Sequence, residues 1–145
     1  HDPKASILER RCGSAGLFAT LDDCITLVQL YLHDGTLREF EYCSAEMIQS
    51  LLQDWTPTRQ AGRSLGWDMD RVGEQIWLRH TGFTGTTVLM NLTTKQAMIL
   101  LTNRIHQYED TPSYNRLREE LIRLYAIRLL DMLAIWTPAA LRSHD

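Results

Sequence analysis

Short apolar segments with short connections occupy the middle of the chain and limit its fold more than any other feature. Runs typical of β-strands lie near 63–68, 75–81, 85–91 and 96–102. Gly-rich or polar turns such as "LTTKQ" join them. Connections this short link antiparallel neighbours, because a parallel pair needs a crossover of about a dozen residues or more. The sequence therefore predicts an antiparallel meander.

Helical patterns flank this region on both sides. In "GLFATLDDCITLVQLYLHDG", Thr20 is a predicted N-cap with Asp23 three residues later. "SAEMIQSLLQDW" repeats the pattern with Ser44 as its N-cap. A long helix is predicted over about 112–136. The expected buried positions are Leu27, Leu30 and Tyr31 in the first helix and Met47, Ile48, Leu51 and Leu52 in the second. We therefore expect an α+β fold, an antiparallel sheet flanked by helices, with a long C-terminal helix.

Length and charge exclude several classes of protein. A chain of 145 residues builds one compact core, so residues 1–145 are predicted to form a single domain. Its net charge of -3 and the lack of a basic patch argue against a nucleic-acid partner. The longest apolar stretch, "LLDMLAIW", is broken by Asp131 and is far shorter than a bilayer span. We expect no membrane span.

Cysteines and histidines give no metal or cofactor pattern. Cys12, Cys24 and Cys43 are an odd number without metal-ligand spacing, which argues against a disulfide framework and a zinc site. The histidines are scattered and include no His-Glu-x-x-His pattern. We expect reduced thiols, no metal and no cofactor.

One candidate nucleophile lies in "GRSLG", where Ser64 fits the Gly-x-Ser-x-Gly pattern of hydrolases. That pattern needs a buried strand before the serine and a helix after it. Here a polar loop, "TPTRQAG", precedes Ser64, and "LGWDMD" leads towards another strand. A small esterase that uses Ser64 is therefore kept as an alternative only.

A second candidate site lies in "HTGFTGTTVLMNL". Together with "GSAGLFATLDD", "GRSLGWD" and "ILLTNRIH", in this order, it resembles the C-terminal part of the serine β-lactamase-like proteins. These are class C β-lactamases, DD-peptidases and related esterases. The resemblance covers residues 1 to about 107 and then a C-terminal helix. It implies a partial β-lactamase or transpeptidase-like fold, in which a Lys-Thr-Gly or His-Thr-Gly triad lines the active site.

The resemblance assigns that triad to His80, Thr81 and Gly82, and it assigns an oxyanion-hole donor to the N–H of Phe83. His80 would hold a substrate carboxylate or assist proton transfer. Alternation along a strand places His80 and Thr81 on opposite sides, while Gly82 leaves one wall bare for a substrate backbone. The competing interpretation is a solvated histidine at the end of a strand before a Gly turn.

The family's nucleophile pair is missing from the chain. Lys4 and Lys95 are the only lysines, and neither follows a serine by three residues, so no Ser-x-x-Lys pair exists. The resemblance also implies a Tyr-x-Asn motif, which the chain lacks. Tyr42-Cys43-Ser44 mimics a Tyr-x-Ser variant of that motif, but it lies where we predict the start of a helix. We therefore expect the C-terminal portion of a serine hydrolase whose N-terminal portion, with the nucleophile, is absent, and we expect this chain alone to be inactive.

The expected partners follow from this interpretation. They are the missing N-terminal part of the same protein or a second copy, and in the complete protein a small-molecule or peptide substrate: a β-lactam, a peptide or an ester. The alternative from another class is a non-catalytic binding or assembly module that retains part of the fold. The sequence leaves localisation open between the bacterial cell envelope or extracellular space and the cytoplasm.

Overall fold

The computed structural model describes residue 7 and residues 15–56, 62–106 and 111–136, with side chains of the last helix described up to residue 128. The chain divides into two units, residues 1–109 and 110–145, and each is described by itself. The first part of the first unit contains α1 (Leu21–Leu32), β1 (Thr36–Leu37), β2 (Phe40–Glu41) and α2 (Ala45–Ser50). Its second part contains β3 (Gly62–Arg63), β4 (Asp68–Val72), β5 (Gln75–Thr81), β6 (Thr87–Asn91) and β7 (Gln96–Leu100). The second unit contains α3 (Thr111–Trp136).

Helix α1 begins at the predicted N-cap. The Thr20 hydroxyl accepts from the Asp23 N–H at 3.2 Å, and the Asp23 carboxylate accepts from the Thr20 N–H at 2.9 Å. These hydrogen bonds, the backbone one first, lower the pKa of Asp23. At the other end, Gly35 has a φ of +90° and donates to the Leu30 carbonyl at 2.8 Å. A side chain at Gly35 would collide with the Cys43 carbonyl, so only glycine fits this stop.

The main sheet is the predicted meander. Its strand order is β3-β4-β5-β6-β7, and every neighbouring pair is antiparallel. The predicted strand at 63–68 is wrong, because residues 64–67 bend between β3 and β4, with Gly66 at a φ of +80°. Strand β4 carries acidic residues that pair across the sheet, Asp68 with Arg63 at 2.6 Å and Asp70 with Arg79 at 2.9 Å. Partners from other strands thus stabilise a strand with an unusually charged sequence.

One hydrophobic core cluster lies between this sheet and α2. Strand register places Met69, Leu78 and Met90 side by side. They form one buried cluster with Ile48 and Leu51 and with Leu92. Two predicted core positions are wrong: Met47 is 61% exposed, because α2 is short and turns this side outward, and Leu27 is 53% exposed, because Val28 takes the inward position of α1.

Helix α3 is the predicted long C-terminal helix and spans 26 residues. On its surface Arg123 donates to Glu120 at 2.7 Å. Among the described helices, none combines the length and the apolar character that crossing a membrane requires.

Candidate active site

A five-residue loop between β5 and β6 carries the sequence-predicted site. The Gly82 N–H donates to the Thr86 carbonyl at 2.8 Å, and the Gly85 N–H donates to the Gly82 carbonyl at 3.0 Å. The second bond closes a β-turn over residues 82–85. Gly85 is buried and has a φ of +109°, a conformation that favours glycine. The Gly-Phe-Thr-Gly sequence therefore folds as a tight turn at the end of β5.

This turn sets the direction of the Phe83 N–H. In a trans peptide the C=O and the next N–H are antiparallel. The Gly82 carbonyl points into the turn towards Gly85, so the N–H of Phe83 in the same peptide points out of it. Within the described residues, this N–H has no hydrogen-bond partner. An outward, unpaired backbone donor is what an oxyanion hole requires.

His80 lies just before the turn and is exposed. Its ring meets the Trp67 ring edge to face, with centroids 6.1 Å apart. Trp67 in turn meets Tyr31 of α1 edge to face at 5.5 Å. Burial raises the pKa of Tyr31, so its phenol stays neutral near neutral pH. The aromatic row of Tyr31, Trp67 and His80 supports one side of the imidazole while solvent reaches it.

Thr81 does not share the face of His80. Its register partner is Thr87, whereas His80 pairs with Val88. Successive side chains of a strand point to opposite faces. The structure therefore brings His80 and the turn over residues 82–85, called the Phe83 turn, to the same end of β5. The Thr81 side chain points to the other face. Thr87 is almost fully buried on that face.

Sequence reasoning missed the residues that hold the turn from outside. The Arg104 guanidinium donates to the Phe83 carbonyl at 2.6 Å and lies 4.6 Å from the centroid of the Phe83 ring. The Arg104 N–H donates to the Thr84 carbonyl at 2.9 Å, and the Thr102 hydroxyl donates to the Gly85 carbonyl at 2.8 Å. Thr102 and Arg104 both lie in "ILLTNRIH", a segment that carries the family resemblance but no local pattern that pairs it with the turn.

Ser64 lacks the setting of a nucleophile elbow. It follows the two-residue strand β3, its N–H donates to the Trp67 carbonyl at 2.9 Å, and the chain then enters β4 rather than a helix. Its side chain is 8% exposed, and its hydroxyl has no hydrogen-bond partner among the described residues. This buried hydroxyl is poorly placed to attack a substrate.

The other chemical groups fit structural roles. Ser44 caps α2, because its hydroxyl accepts from the Met47 N–H at 3.3 Å, so the Tyr42-Cys43-Ser44 triplet is the start of a helix. Cys24 and Cys43 are free thiols, and Cys12 lies outside the described residues. No group of metal-ligating side chains that could hold an ion exists in the described part of the chain.

Comparison with known proteins adds independent findings. The chain is 28% identical over 126 residues to an N-acetylmuramyl-L-alanine amidase of Bacillus subtilis (strain 168), covering 79% of this chain and 28% of that protein. It is 26% identical over 126 residues to a protein of Escherichia coli O157:H7 provisionally named a D-alanyl-D-alanine carboxypeptidase, covering 79% of this chain and 29% of that protein. The chain thus spans less than a third of the length of these relatives.

No solved structure matches the chain significantly. The model of the Beta-lactamase family matches residues 1–122, which is most of the chain. The chain therefore belongs to the Beta-lactamase family.

Proposed function

We propose that this chain is the C-terminal portion of a β-lactamase-like serine hydrolase and forms one wall of its acyl-transfer site. In the complete protein, a serine oxygen attacks the carbonyl of an amide, β-lactam or ester, the leaving group departs, and water hydrolyses the acyl-enzyme. The nucleophile, its lysine base and the tyrosine belong to the N-terminal portion. Family membership supports the chemistry, and the short coverage of both relatives supports the status of a fragment.

Each wall residue has a defined proposed role. The N–H of Phe83 stabilises the oxyanion that forms when the serine attacks. Gly82 contributes through its backbone, because the Thr86 hydroxyl fills the space that a side chain at this position would take. His80, exposed and supported by Trp67, holds a substrate carboxylate or assists proton transfer. Thr81 contributes through its backbone at the wall, because its side chain lies on the other face.

The unpaired outward N–H of Phe83 is the observation that carries the proposal. Leaving a backbone donor without a partner costs stability unless water or a ligand satisfies it. A turn whose internal hydrogen bonds aim one N–H outward beside an exposed histidine provides a site for a developing negative charge.

The proposed partner is the N-terminal portion of the same protein, or a second copy of the chain. Leu17 and Phe18, which precede α1, are 91% and 92% exposed. Strand β7 ends the described sheet, and "QAMIL" has no charge or proline to protect an edge. These apolar groups would be covered in the assembled hydrolase.

The test compares two substitutions at Phe83 in the complete protein, with nitrocefin, p-nitrophenyl butyrate and a D-alanyl-D-alanine peptide as substrates. Phe83→Pro removes the N–H, and we expect kcat to fall about 100- to 1,000-fold. Phe83→Ala keeps the N–H and is the matched control, with a much smaller loss. Equal activity of the two variants, at equal folded fraction by circular dichroism, or turnover of no substrate by the wild type, would overturn the proposal.

The isolated 145-residue chain separates this proposal from the esterase alternative. We expect no hydrolysis of nitrocefin or p-nitrophenyl esters and no labelling by a fluorophosphonate. Stoichiometric labelling that Ser64→Ala abolishes would instead assign the chemistry to Ser64.

A further inference from the structure

The segment 102–104, which follows β7, donates hydrogen bonds to three consecutive carbonyl groups of the Phe83 turn, those of residues 83, 84 and 85. Arg104 donates from its side chain to Phe83 and from its N–H to Thr84, and the Thr102 hydroxyl donates to Gly85. The turn itself uses the Gly82 carbonyl to accept from Gly85. Every carbonyl from residue 82 to residue 85 therefore has a donor.

These contacts fix both peptide planes that meet at Phe83. The preceding plane contains the outward N–H and is held by the Gly85 N–H. The following plane is held by the Arg104 guanidinium at 2.6 Å. Without the guanidinium, the 83–84 peptide can rotate, and the Gly85 hydrogen bond alone then orients the 82–83 peptide and its N–H. With both planes held, φ and ψ of Phe83 are fixed, since these are the only soft dihedrals of the residue.

Arg104 suits this role better than a shorter or neutral side chain. A charged donor makes a shorter and stronger hydrogen bond than a neutral one. The flat guanidinium also lies over the Phe83 ring, 4.6 Å from its centroid, so one side chain holds both the carbonyl and the ring of the same residue.

We propose that Arg104 is a positioning residue that keeps the Phe83 N–H aimed at the reacting carbonyl. It acts through Phe83 and does not contact the substrate. The inference rests on the proposed oxyanion role of the Phe83 N–H. Its distinctive consequence is a loss of rate with little loss of substrate binding, because an oxyanion donor acts mainly in the transition state.

The first experiment uses the 145-residue chain and needs no activity. In ¹H–¹⁵N spectra, Arg104→Gln is expected to shift the amide signals of residues 83–85 and to speed exchange of the Gly85 amide, which donates to the Gly82 carbonyl. Signals away from the turn and from residue 104 should be unchanged. Arg63→Gln is the matched control, because Arg63 makes a surface ion pair with Asp68 in the same unit. Unchanged signals for residues 83–85 in Arg104→Gln would overturn the proposal.

The second experiment measures kcat and KM in the complete protein, with the folded, active fraction titrated by a covalent inhibitor. We expect Arg104→Gln to lower kcat by roughly ten- to a hundredfold at nearly constant KM, and Arg104→Lys to recover part of the loss. Loss explained entirely by a lower active fraction, or an unchanged kcat while Phe83→Pro is impaired, would refute the role of Arg104 alone. An unchanged kcat in Phe83→Pro would instead refute the oxyanion role of the Phe83 N–H, on which the role of Arg104 depends.

Discussion

At the scale of single residues, position 82 must be glycine because of the nearby Thr86 side chain and not because of its backbone conformation. Its φ is not in the left-handed region, but a Cβ at this position would collide with the Thr86 hydroxyl. The other atoms near that Cβ belong to the same threonine and lie 3.7 Å away, an ordinary contact. The need for glycine therefore depends on one oxygen atom.

This dependence predicts a compensating pair. Gly82→Ala should lower the free energy of unfolding by about 1–2 kcal/mol, because Thr86 must leave its rotamer or the turn must shift. Thr86→Ala alone should have a small effect, and the double variant should recover most of the loss. A double-mutant cycle in urea measures the coupling. If the two effects simply add, the hydroxyl is not the obstacle.

The candidate site was predictable to the extent that it lies in one stretch of sequence. Alternation along β5 predicted that His80 and Thr81 face opposite sides, and the register confirms it. The aromatic row to Tyr31 and the contact of Arg104 with Phe83 join segments far apart in the chain. No local pattern in the sequence specifies such pairs, because tertiary packing alone decides which distant side chains meet.

At the scale of elements, features set by a few neighbouring residues are likewise predictable from the sequence, whereas features that depend on distant partners are not. Caps are local, so Thr20 and Ser44 were predicted from a few residues each. Strand β4 was missed because its acidic residues suit a strand only once Arg63 and Arg79 stand opposite. The length of α2 was overestimated, since an apolar pattern continues past Ser50 where the helix has already ended.

An ion pair between turns supplies a prediction at this scale. The Lys95 ammonium, in the turn between β6 and β7, donates to the Asp34 carboxylate at 2.7 Å, and Gln49 of α2 donates to the same carboxylate at 3.0 Å. The hydrogen bond from Lys95 is the main cause that lowers the pKa of Asp34 below 3.8. Lys95→Met should therefore lower the free energy of unfolding, but by less than about 1 kcal/mol, since both side chains are partly solvated.

The pH dependence of this loss has a definite sign. A carboxyl whose pKa is lowered by folding contributes its full stabilisation above its ordinary pKa, and the contribution disappears as pH falls through the folded value. The difference between wild type and Lys95→Met should thus be constant near neutrality and shrink at pH values below 3.8. Lys95→Arg, which keeps the charge, is the control. A difference that persists unchanged in acid would contradict the ion-pair explanation.

At the scale of the whole molecule, exposed apolar side chains before α1 and the position of β7 at the end of the described sheet predict association. We expect the exposed side chains of Leu17 and Phe18 to pack against the N-terminal portion or, without it, against a second copy. Strand β7, which has no charged residue, is expected to form edge hydrogen bonds with the same partner. Gel filtration with light scattering at micromolar concentration should give species larger than 16.8 kDa. Ile99→Pro should weaken association through the edge more than Ile99→Ala does. A well-folded monomer that neither change affects would contradict this prediction.

The sheet order also has a consequence for the folding pathway. Every strand from β3 to β7 pairs with its neighbour in sequence, so each pairing closes only a short loop and costs little chain entropy. Hairpins of this kind form in about 1–10 μs, whereas docking of α1 onto β6 and β7 requires contacts across a long stretch of chain. The turn that presents the Phe83 N–H is therefore expected to acquire its shape early, as part of the β5–β6 hairpin, before the helices dock.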